Sequence, residues 1–180
     1  MLQLRPHQKE VVDKLSEGFK DHRCQILYAP TGFGKTEVAM SIMQEVAKNY
    51  KKTAIVLDRV VLVEQTSLRL GKYKIDHGVI QRNHWRYRPN LPIQVCSAQT
   101  LEKRGIIPDI DLLIIDDPHS EQEAAIAATN PEVYDKVYEW YSSGPRQRLQ
   151  PGGAIIIVMT RWAKRDLTGR ILQAAEDRDG

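Results

Sequence analysis

One short segment constrains this chain more than any other: residues 29–36 are Ala-Pro-Thr-Gly-Phe-Gly-Lys-Thr. The segment follows the apolar run 26–28, which suits a buried strand, and precedes a stretch with helical periodicity. Glycines at such a junction let backbone N–H groups approach an anion, and the N-terminus of the following helix adds a partial positive charge. Ala29 stands where the general phosphate-loop pattern has its first glycine, and the rest of the pattern is present. The segment therefore predicts a site for a nucleoside triphosphate.

Two side chains of this loop are expected to carry its chemistry. Lys35 is placed to reach the terminal phosphates, and the Thr36 hydroxyl is placed to hold Mg²⁺. The loop residues predicted to contact the nucleotide are Thr31, Gly32, Phe33, Gly34, Lys35 and Thr36.

A second part of the same site is predicted at the end of the apolar run 111–115, which is followed by Asp116 and Asp117. An acid at the end of a buried strand orients Mg²⁺ opposite a phosphate loop, so Asp116 is the expected metal ligand. Asp117 is the expected residue that orients and deprotonates the attacking water. Because it is one methylene shorter than the glutamate usual at this position, slow hydrolysis is expected. His119 either links this site to the last strand or caps the next helix.

The pattern of apolar runs predicts an α/β fold. Strands that are apolar on both faces alternate with helical stretches, which indicates a mostly parallel sheet covered by helices on both faces. One domain over residues 1–180 accounts for the whole pattern. The predicted strands are 24–29, 53–57, 92–96, 111–115 and 154–159. Three helices are predicted over residues 60–70, 121–128 and 166–175. Three more are predicted, one near the N-terminus that ends at about residues 18–21, one directly after the phosphate loop, and one after the cap residue Asn130.

Composition places the chain among intracellular proteins. Hydrophobic residues make up 42% and charged residues 27% of the sequence, as in soluble globular domains. No apolar run approaches the roughly 20 residues needed to span a membrane, and the N-terminus lacks a signal-peptide core. Cys24 and Cys96 are expected to be free thiols. A cytoplasmic protein without a membrane partner is expected.

The net charge of +3 says little about partners, but its distribution says more. Residues 69–88 contain six Lys or Arg residues and one acid, and Trp85 and Tyr87 stand among the arginines. The segment is either a nucleic-acid surface, with the phosphate backbone held and bases stacked, or a solvated insertion that happens to be basic. The candidate nucleic-acid contacts in it are Arg82, Arg86 and Arg88.

From its N-terminus to about residue 116, the chain resembles the first motor domain of superfamily-two helicases, which have a RecA-like P-loop NTPase core. Leu4-Arg5-Pro6-His7-Gln8 resembles the segment that places a glutamine, here Gln8, on adenine. Residues 57–65 and 95–101 are similar to segments that contact the nucleic-acid backbone, and Asp116-Asp117-Pro118-His119 is similar to a DEAH box. The resemblance implies ATP and Mg²⁺ as ligands and DNA or RNA as partner. The backbone contacts it implies are Arg59, Gln65 and Thr100.

Residues 113–180 resemble the ATPase domain of phage terminase large subunits. The similarity lies in the acid-bearing strand, in 143–149 and in Met159-Thr160-Arg161-Trp162. It implies that Thr160 senses the γ-phosphate, as a catalytic residue. Neither a second motor domain nor a nuclease domain is expected within 180 residues. An arginine finger would then come from a second motor domain or a neighbouring subunit, and Arg146 and Arg148 are either such fingers or solvated loop charges.

Three functions follow from these patterns. The leading one is the ATP-dependent motor domain of a helicase-like protein acting on nucleic acid. The alternatives are a terminase-type packaging ATPase that works as a ring, and a non-catalytic module that binds nucleotide or DNA.

Overall fold

The computed structural model describes residues 2–105, 109–118, 125–127, 129–130, 132–144, 146, 149–159 and 163–179. Within these residues six strands form one sheet, and every described pairing in it is parallel. The strands are β1 (Cys24–Tyr28), β2 (Thr53–Leu57), β3 (Gly78–Ile80), β4 (Ile93–Ser97), β5 (Leu112–Asp116) and β6 (Ala154–Met159). The helices are α1 (Pro6–Gly18), α2 (Lys35–Lys48), α3 (Val60–Lys72), α4 (Ala98–Arg104), α5 (Glu132–Ser143) and α6 (Leu167–Asp179).

The strand order is β1-β6-β5-β2-β4-β3. Strand β6 therefore lies between the strand that leads into the phosphate loop and the strand that ends in Asp116. Tyr28 pairs with Met159, and Asp116 pairs with Val158 and Leu57, so these strands end at one common edge. In parallel α/β sheets, ligands bind at the carboxyl ends of the strands.

Alternating side chains of the strands build two separate cores, one on each face of the sheet. In β5, Leu112 and Ile114 pack in the core that holds α1, α2 and α3, whereas Leu113 and Ile115 pack in the core that holds α4, α5 and α6. Successive side chains of a strand point to opposite faces, so an uninterrupted apolar strand needs cover on both. The predicted α/β class is confirmed, and the observed sheet is wholly parallel.

Most predicted elements coincide with observed ones, and two observed elements were missed. Strand β3 has only three residues, too short for a periodicity signal, and α4 lies in a segment that was interpreted only as a nucleic-acid contact. The cap of α5 is present, since the backbone N–H of Glu132 donates to Asn130 Oδ1 over 3.2 Å. The predicted helix 121–128 falls largely outside the described residues.

None of the helices in the described part of the chain is long and apolar enough to cross a membrane.

Candidate nucleotide cleft and basic groove

The phosphate loop has the backbone shape that its two glycines predict. Gly32 and Gly34 adopt left-handed φ values of 84° and 87°, and Gly34 is the residue that immediately precedes α2. A Cβ atom on Gly34 would clash with Gln8 Nε2, which would have to move, so this clash adds to the cost that the left-handed φ places on any other residue. The loop thus turns tightly into α2, and a helix N-terminus is where backbone N–H groups and the helix dipole favour an anion.

Gln8 fixes α1 against this loop. Its side chain is buried, its Nε2 donates to the Phe33 carbonyl over 2.9 Å, and its Oε1 accepts from the Arg5 backbone N–H over 2.9 Å. The His7 ring meets Phe33 edge-on, with ring centroids 5.1 Å apart. Each amide atom of a glutamine can make a second hydrogen bond, so these contacts leave the predicted adenine contact chemically possible. The adenine contact itself stays a prediction.

A cleft of about 590 Å³ opens over the loop. Loop residues form one wall, the start of α1 and the end of α3 form another, and Asp117 faces them. Lys35 Nζ lies 3.6 Å from Asp117 Oδ2, with the lysine side chain 13% exposed. The residues that line the cleft are Gln3, Arg5, Gln8, Thr31, Gly32, Phe33, Gly34, Lys35, Thr36, Glu37, Arg69, Tyr73 and Asp117.

Arg69 and Tyr73 were not predicted at this cleft. Arg69 Nη1 donates to Glu37 Oε1 over 3.0 Å, and Glu37 lies in the first turn of α2. A carboxylate there opposes the binding of phosphates, and the arginine compensates its charge. No sequence signal joins positions 32 residues apart on two helices.

The two aspartates differ in environment. Asp117 has a left-handed φ of 42°, and its backbone N–H donates to the Val158 carbonyl over 2.8 Å. The pKa of Asp116 is raised to about 7, first by burial and then by the neighbouring Asp117, while Lys35 opposes the rise. Such a carboxyl has too little compensating positive charge, and a hard divalent cation supplies it. Carboxylate and hydroxyl oxygens are the ligands Mg²⁺ prefers, so Asp116 and Thr36 fit that ion.

Asp116 also faces a second, smaller space on the other side of the sheet edge. This cavity of about 260 Å³ lies between α4 and α5, and its lining includes Asp58, Gln99, Lys136 and Trp140. The nucleotide cleft itself is lined by Asp117 rather than by Asp116. The two acids thus line different spaces at one edge, and Asp116 still lies close enough to Lys35 for that lysine to lower its pKa.

A basic groove of about 700 Å³ lies beside α4. Thr100 is buried, and its Oγ1 accepts from the Arg82 backbone N–H over 3.2 Å. Arg104 Nη2 donates to the Arg82 carbonyl over 2.6 Å. We call this space the α4 groove, and its lining residues are Val60, Gln81, Arg82, Asn83, Ser97, Gln99, Thr100, Lys103 and Arg104.

Lys103 and Arg104 were missed as groove residues because α4 was not predicted. Thr100 and Arg104 stand four residues apart, as do Gln99 and Lys103, a spacing that puts each pair on one helix face. Arg59 precedes α3 as its N-cap residue and, like Gln65, is exposed; neither lines the α4 groove.

The other two candidate arginines do not join Arg82. The segment between β3 and β4 returns along the outer edge of β3, where the Val79 N–H donates to the Arg86 carbonyl over 3.0 Å. Arg88 Nη1 lies 3.7 Å from Oδ1 of Asp76, which precedes β3. Arg82 and Arg88 thus stand near opposite ends of this edge strand.

Three predicted residues lie outside the described part of the chain: Thr160, Arg148 and His119. Arg146 is described and exposed. Thr160 directly follows β6, the strand between the loop strand and the acid strand. The roles assigned to these residues stay predictions.

Comparison with known families decides the relationship. The family model described as "Type III restriction enzyme, res subunit" (ResIII) matches residues 1–144. The chain belongs to this family. The family match extends well beyond residue 116, the position at which the sequence suggested that the helicase resemblance ends.

Known proteins that are similar to this ResIII chain are named for helicase or ATPase activity. The Acanthamoeba polyphaga mimivirus protein L396, whose name describes an ATP-dependent RNA helicase, is 31% identical over 150 residues, which cover 78% of this chain and 27% of L396. The helicase domain of Pyrococcus furiosus Hef matches with a TM-score of 0.63 at 20% identity, over 96% of this chain and 37% of that one. The Sulfolobus solfataricus SWI2/SNF2 ATPase core in complex with dsDNA matches with a TM-score of 0.61 at 16% identity, over 88% of this chain and 32% of that one.

These matches confirm the RecA-like fold and the helicase-type motor domain. The chain spans between about a quarter and just over a third of the length of these proteins. The terminase resemblance of residues 113–180 stays a prediction.

Proposed function

We propose that this ResIII domain binds ATP with Mg²⁺ in the cleft over the phosphate loop and hydrolyses it in response to nucleic acid. The observation that carries the proposal is the convergence of Lys35 and Asp117, whose Nζ and Oδ2 atoms lie 3.6 Å apart at the edge where the loop strand and the acid strand end. Hydrolysis needs a lysine that binds the phosphates and an acid that activates water at one point, and this proximity supports the proposal.

Each residue of the cleft has a part in this proposal. The Lys35 ammonium and the N-terminus of α2 hold the β- and γ-phosphates, because both present positive charge to the loop. Thr36 and Asp116 hold Mg²⁺, which when bound neutralises charge on the phosphate oxygens. Asp117 orients the attacking water and accepts its proton. Gln8, held between the loop and Arg5, places a hydrogen-bonding amide where an adenine edge can meet it.

Nucleic acid is proposed to bind along the α4 groove. Arg82, Lys103 and Arg104 give this space positive charge, and Thr100 fixes the backbone of Arg82. Cations of this kind contact phosphate oxygens and carry no base preference. The SWI2/SNF2 relative was solved with dsDNA, and L396 is named for RNA, so both remain substrates to test.

Slow turnover is proposed for the isolated chain. Asp117 reaches less far than a glutamate, and its φ of 42° already holds its backbone in an uncommon conformation. An arginine finger from a second motor domain or a neighbouring subunit contributes roughly 10³–10⁵ in rate in related NTPases. Supplying that partner would raise turnover without changing ATP affinity in the same proportion.

The test is phosphate release from ATP, with Mg²⁺, in the absence of nucleic acid and with single-stranded or duplex DNA. Wild type should release phosphate, and one of the two DNAs should raise the rate. Lys35→Ala should release none, whereas Lys48→Ala, at the exposed far end of the same helix, should match wild type.

The variants also separate the alternatives. Release by wild type no greater than by Lys35→Ala would overturn the ATPase proposal. If wild type and Asp117→Asn then bound ATP equally well, a non-catalytic nucleotide-binding module would replace it. Subunit association driven by ATP would instead favour a packaging-type ring.

A further inference from the structure

Trp85 occupies an unusual position for a large apolar side chain. The residue is 77% exposed, although hydrogen bonds tie its segment to α4 on one side and to the sheet on the other. The Arg82 N–H donates to Thr100 Oγ1 before it, and the Arg86 carbonyl accepts from the Val79 N–H after it. The backbone that carries Trp85 is therefore fixed while its ring faces solvent.

The ring is also fixed by its neighbours. His84 stacks on it with centroids 5.8 Å apart and an interplanar angle of 24°, and the Arg86 guanidinium carbon lies 5.0 Å from the ring centroid. Contacts of a cation with an indole face are attractive and hold both groups. We call His84, Trp85 and Arg86 together the Trp85 platform.

The supports of the platform are themselves held by neighbouring groups, of which His77 is buried. The Arg86 N–H donates to His84 Nδ1 over 3.0 Å, so the other ring nitrogen of His84 carries the hydrogen. That nitrogen lies 3.1 Å from Glu64 Oε1, close enough for attraction although outside good hydrogen-bonding geometry. Arg86 Nη1 lies 3.4 Å from Nδ1 of His77, whose pKa is lowered by burial, with a smaller contribution from Arg86 itself. A neutral histidine tolerates the guanidinium beside it.

The platform stands next to the α4 groove. Arg82 and Asn83 line that groove and precede Trp85 by three and two residues. The backbone turns between them, since the His84 N–H donates to the Gln81 carbonyl over 2.9 Å. Three residues span at most about 11 Å, so a strand held in the groove by its phosphates can bring a base to the Trp85 ring.

We propose that Trp85 is a stacking platform for an unpaired base of single-stranded nucleic acid bound in the α4 groove. The inference rests on the proposed nucleic-acid function and adds to it a contact that phosphate binding does not provide. Every base has an apolar face, so a rigid exposed indole beside a row of cations favours single strands over duplexes, whose bases are already stacked. A protein partner would need apolar neighbours around the ring, whereas the groove beside it is lined by Arg82, Lys103 and Arg104.

The test compares two probes at one salt concentration: a single-stranded dT oligomer of about twelve nucleotides, which suits one binding groove, and an abasic oligomer of the same length. Fluorescence anisotropy measures both affinities for wild type, Trp85→Ala, Trp85→Phe and Tyr50→Ala. Tyr50 is a matched control because it is a 99% exposed aromatic residue just after α2.

Wild type and Tyr50→Ala should bind dT about tenfold more tightly than the abasic oligomer. Trp85→Ala should abolish that preference and leave the affinity for the abasic oligomer and the salt dependence of binding unchanged. Trp85→Phe should keep most of the preference. An equal preference in wild type and Trp85→Ala, or an equal loss for both oligomers, would overturn the inference while the nucleic-acid function stands. Absence of binding to either oligomer by wild type would overturn the inference, and absence of binding to duplex DNA and RNA as well would overturn the nucleic-acid function.

Discussion

The nucleotide cleft and the α4 groove are built in different ways. The cleft takes its central residues from one unbroken loop, 31–36, and adds Asp117 from the adjoining strand end. The groove takes its cations from two separate segments, Arg82 from the turn after β3 and Lys103 and Arg104 from α4. A contiguous loop fixes its own geometry through backbone conformation, whereas the groove depends on how the edge strand positions its neighbours.

This difference has a consequence for mutations. In the cleft, a change of backbone conformation at one glycine should damage the whole site. In the groove, each cation should act nearly independently, because Arg104 contacts the backbone carbonyl of Arg82 and not its guanidinium group.

Gly34→Ala should have the largest effect. Alanine at a φ of 87° costs roughly 1–2 kcal/mol, and its Cβ would collide with Gln8 Nε2. We expect ATP affinity to fall at least about tenfold and the free energy of unfolding to fall by about 2 kcal/mol, as measured by nucleotide titration and urea denaturation.

Gly71→Ala is the matched control, since Gly71 is an exposed residue of α3 with nothing near its would-be Cβ. It should raise the free energy of unfolding by about 0.5–1 kcal/mol and leave ATP affinity unchanged. Equal effects of the two substitutions would mean that the loop does not require the left-handed conformation at Gly34.

Arg82→Gln and Arg88→Gln should have unequal effects on nucleic-acid binding. Arg82 lines the α4 groove, while Arg88 faces Asp76 near the other end of β3. Arg82→Gln should weaken binding and reduce the slope of log affinity against log salt by about one, whereas Arg88→Gln should change neither. A salt titration by anisotropy measures this, and equal losses would restore a single basic surface.

Arg69→Ala should have the smallest effect and should depend on Glu37. Without Arg69 the Glu37 carboxylate would oppose the phosphates uncompensated, so ATP affinity should fall about threefold, a size expected of a partly exposed ion pair. The double variant with Glu37→Gln should recover wild-type affinity in a nucleotide titration. A loss that persists in the double variant would give Arg69 a direct contact with the nucleotide instead.

The sequence predicted the sheet and the phosphate loop because their signals are local. Fully apolar runs specify strands covered on both faces, and β2 and β6 begin and end where their runs do. Two glycines before Lys-Thr specify a loop with residues in the left-handed backbone conformation, and Gly32 and Gly34 adopt that conformation.

What escaped prediction depends on contacts between distant segments. Arg69 of α3 contacts Glu37 of α2, and the return of the chain along β3 separates Arg88 from Arg82. Neither arrangement can be inferred from a local stretch of sequence. The positive charges between residues 69 and 88 could be counted from the sequence, but their separation into different parts of the surface could not.

The central claim is that Thr36 and Asp116 hold Mg²⁺ for a nucleotide bound by Lys35. Titration of a fluorescent ATP analogue with and without Mg²⁺ tests it most directly in wild type, Asp116→Asn and Asp111→Asn. Asp111 precedes the same strand at its other end, where its Oδ2 accepts from the Lys52 N–H over 2.8 Å. The account predicts that Mg²⁺ strengthens binding in wild type and Asp111→Asn but not in Asp116→Asn. Full Mg²⁺ dependence in Asp116→Asn would contradict it.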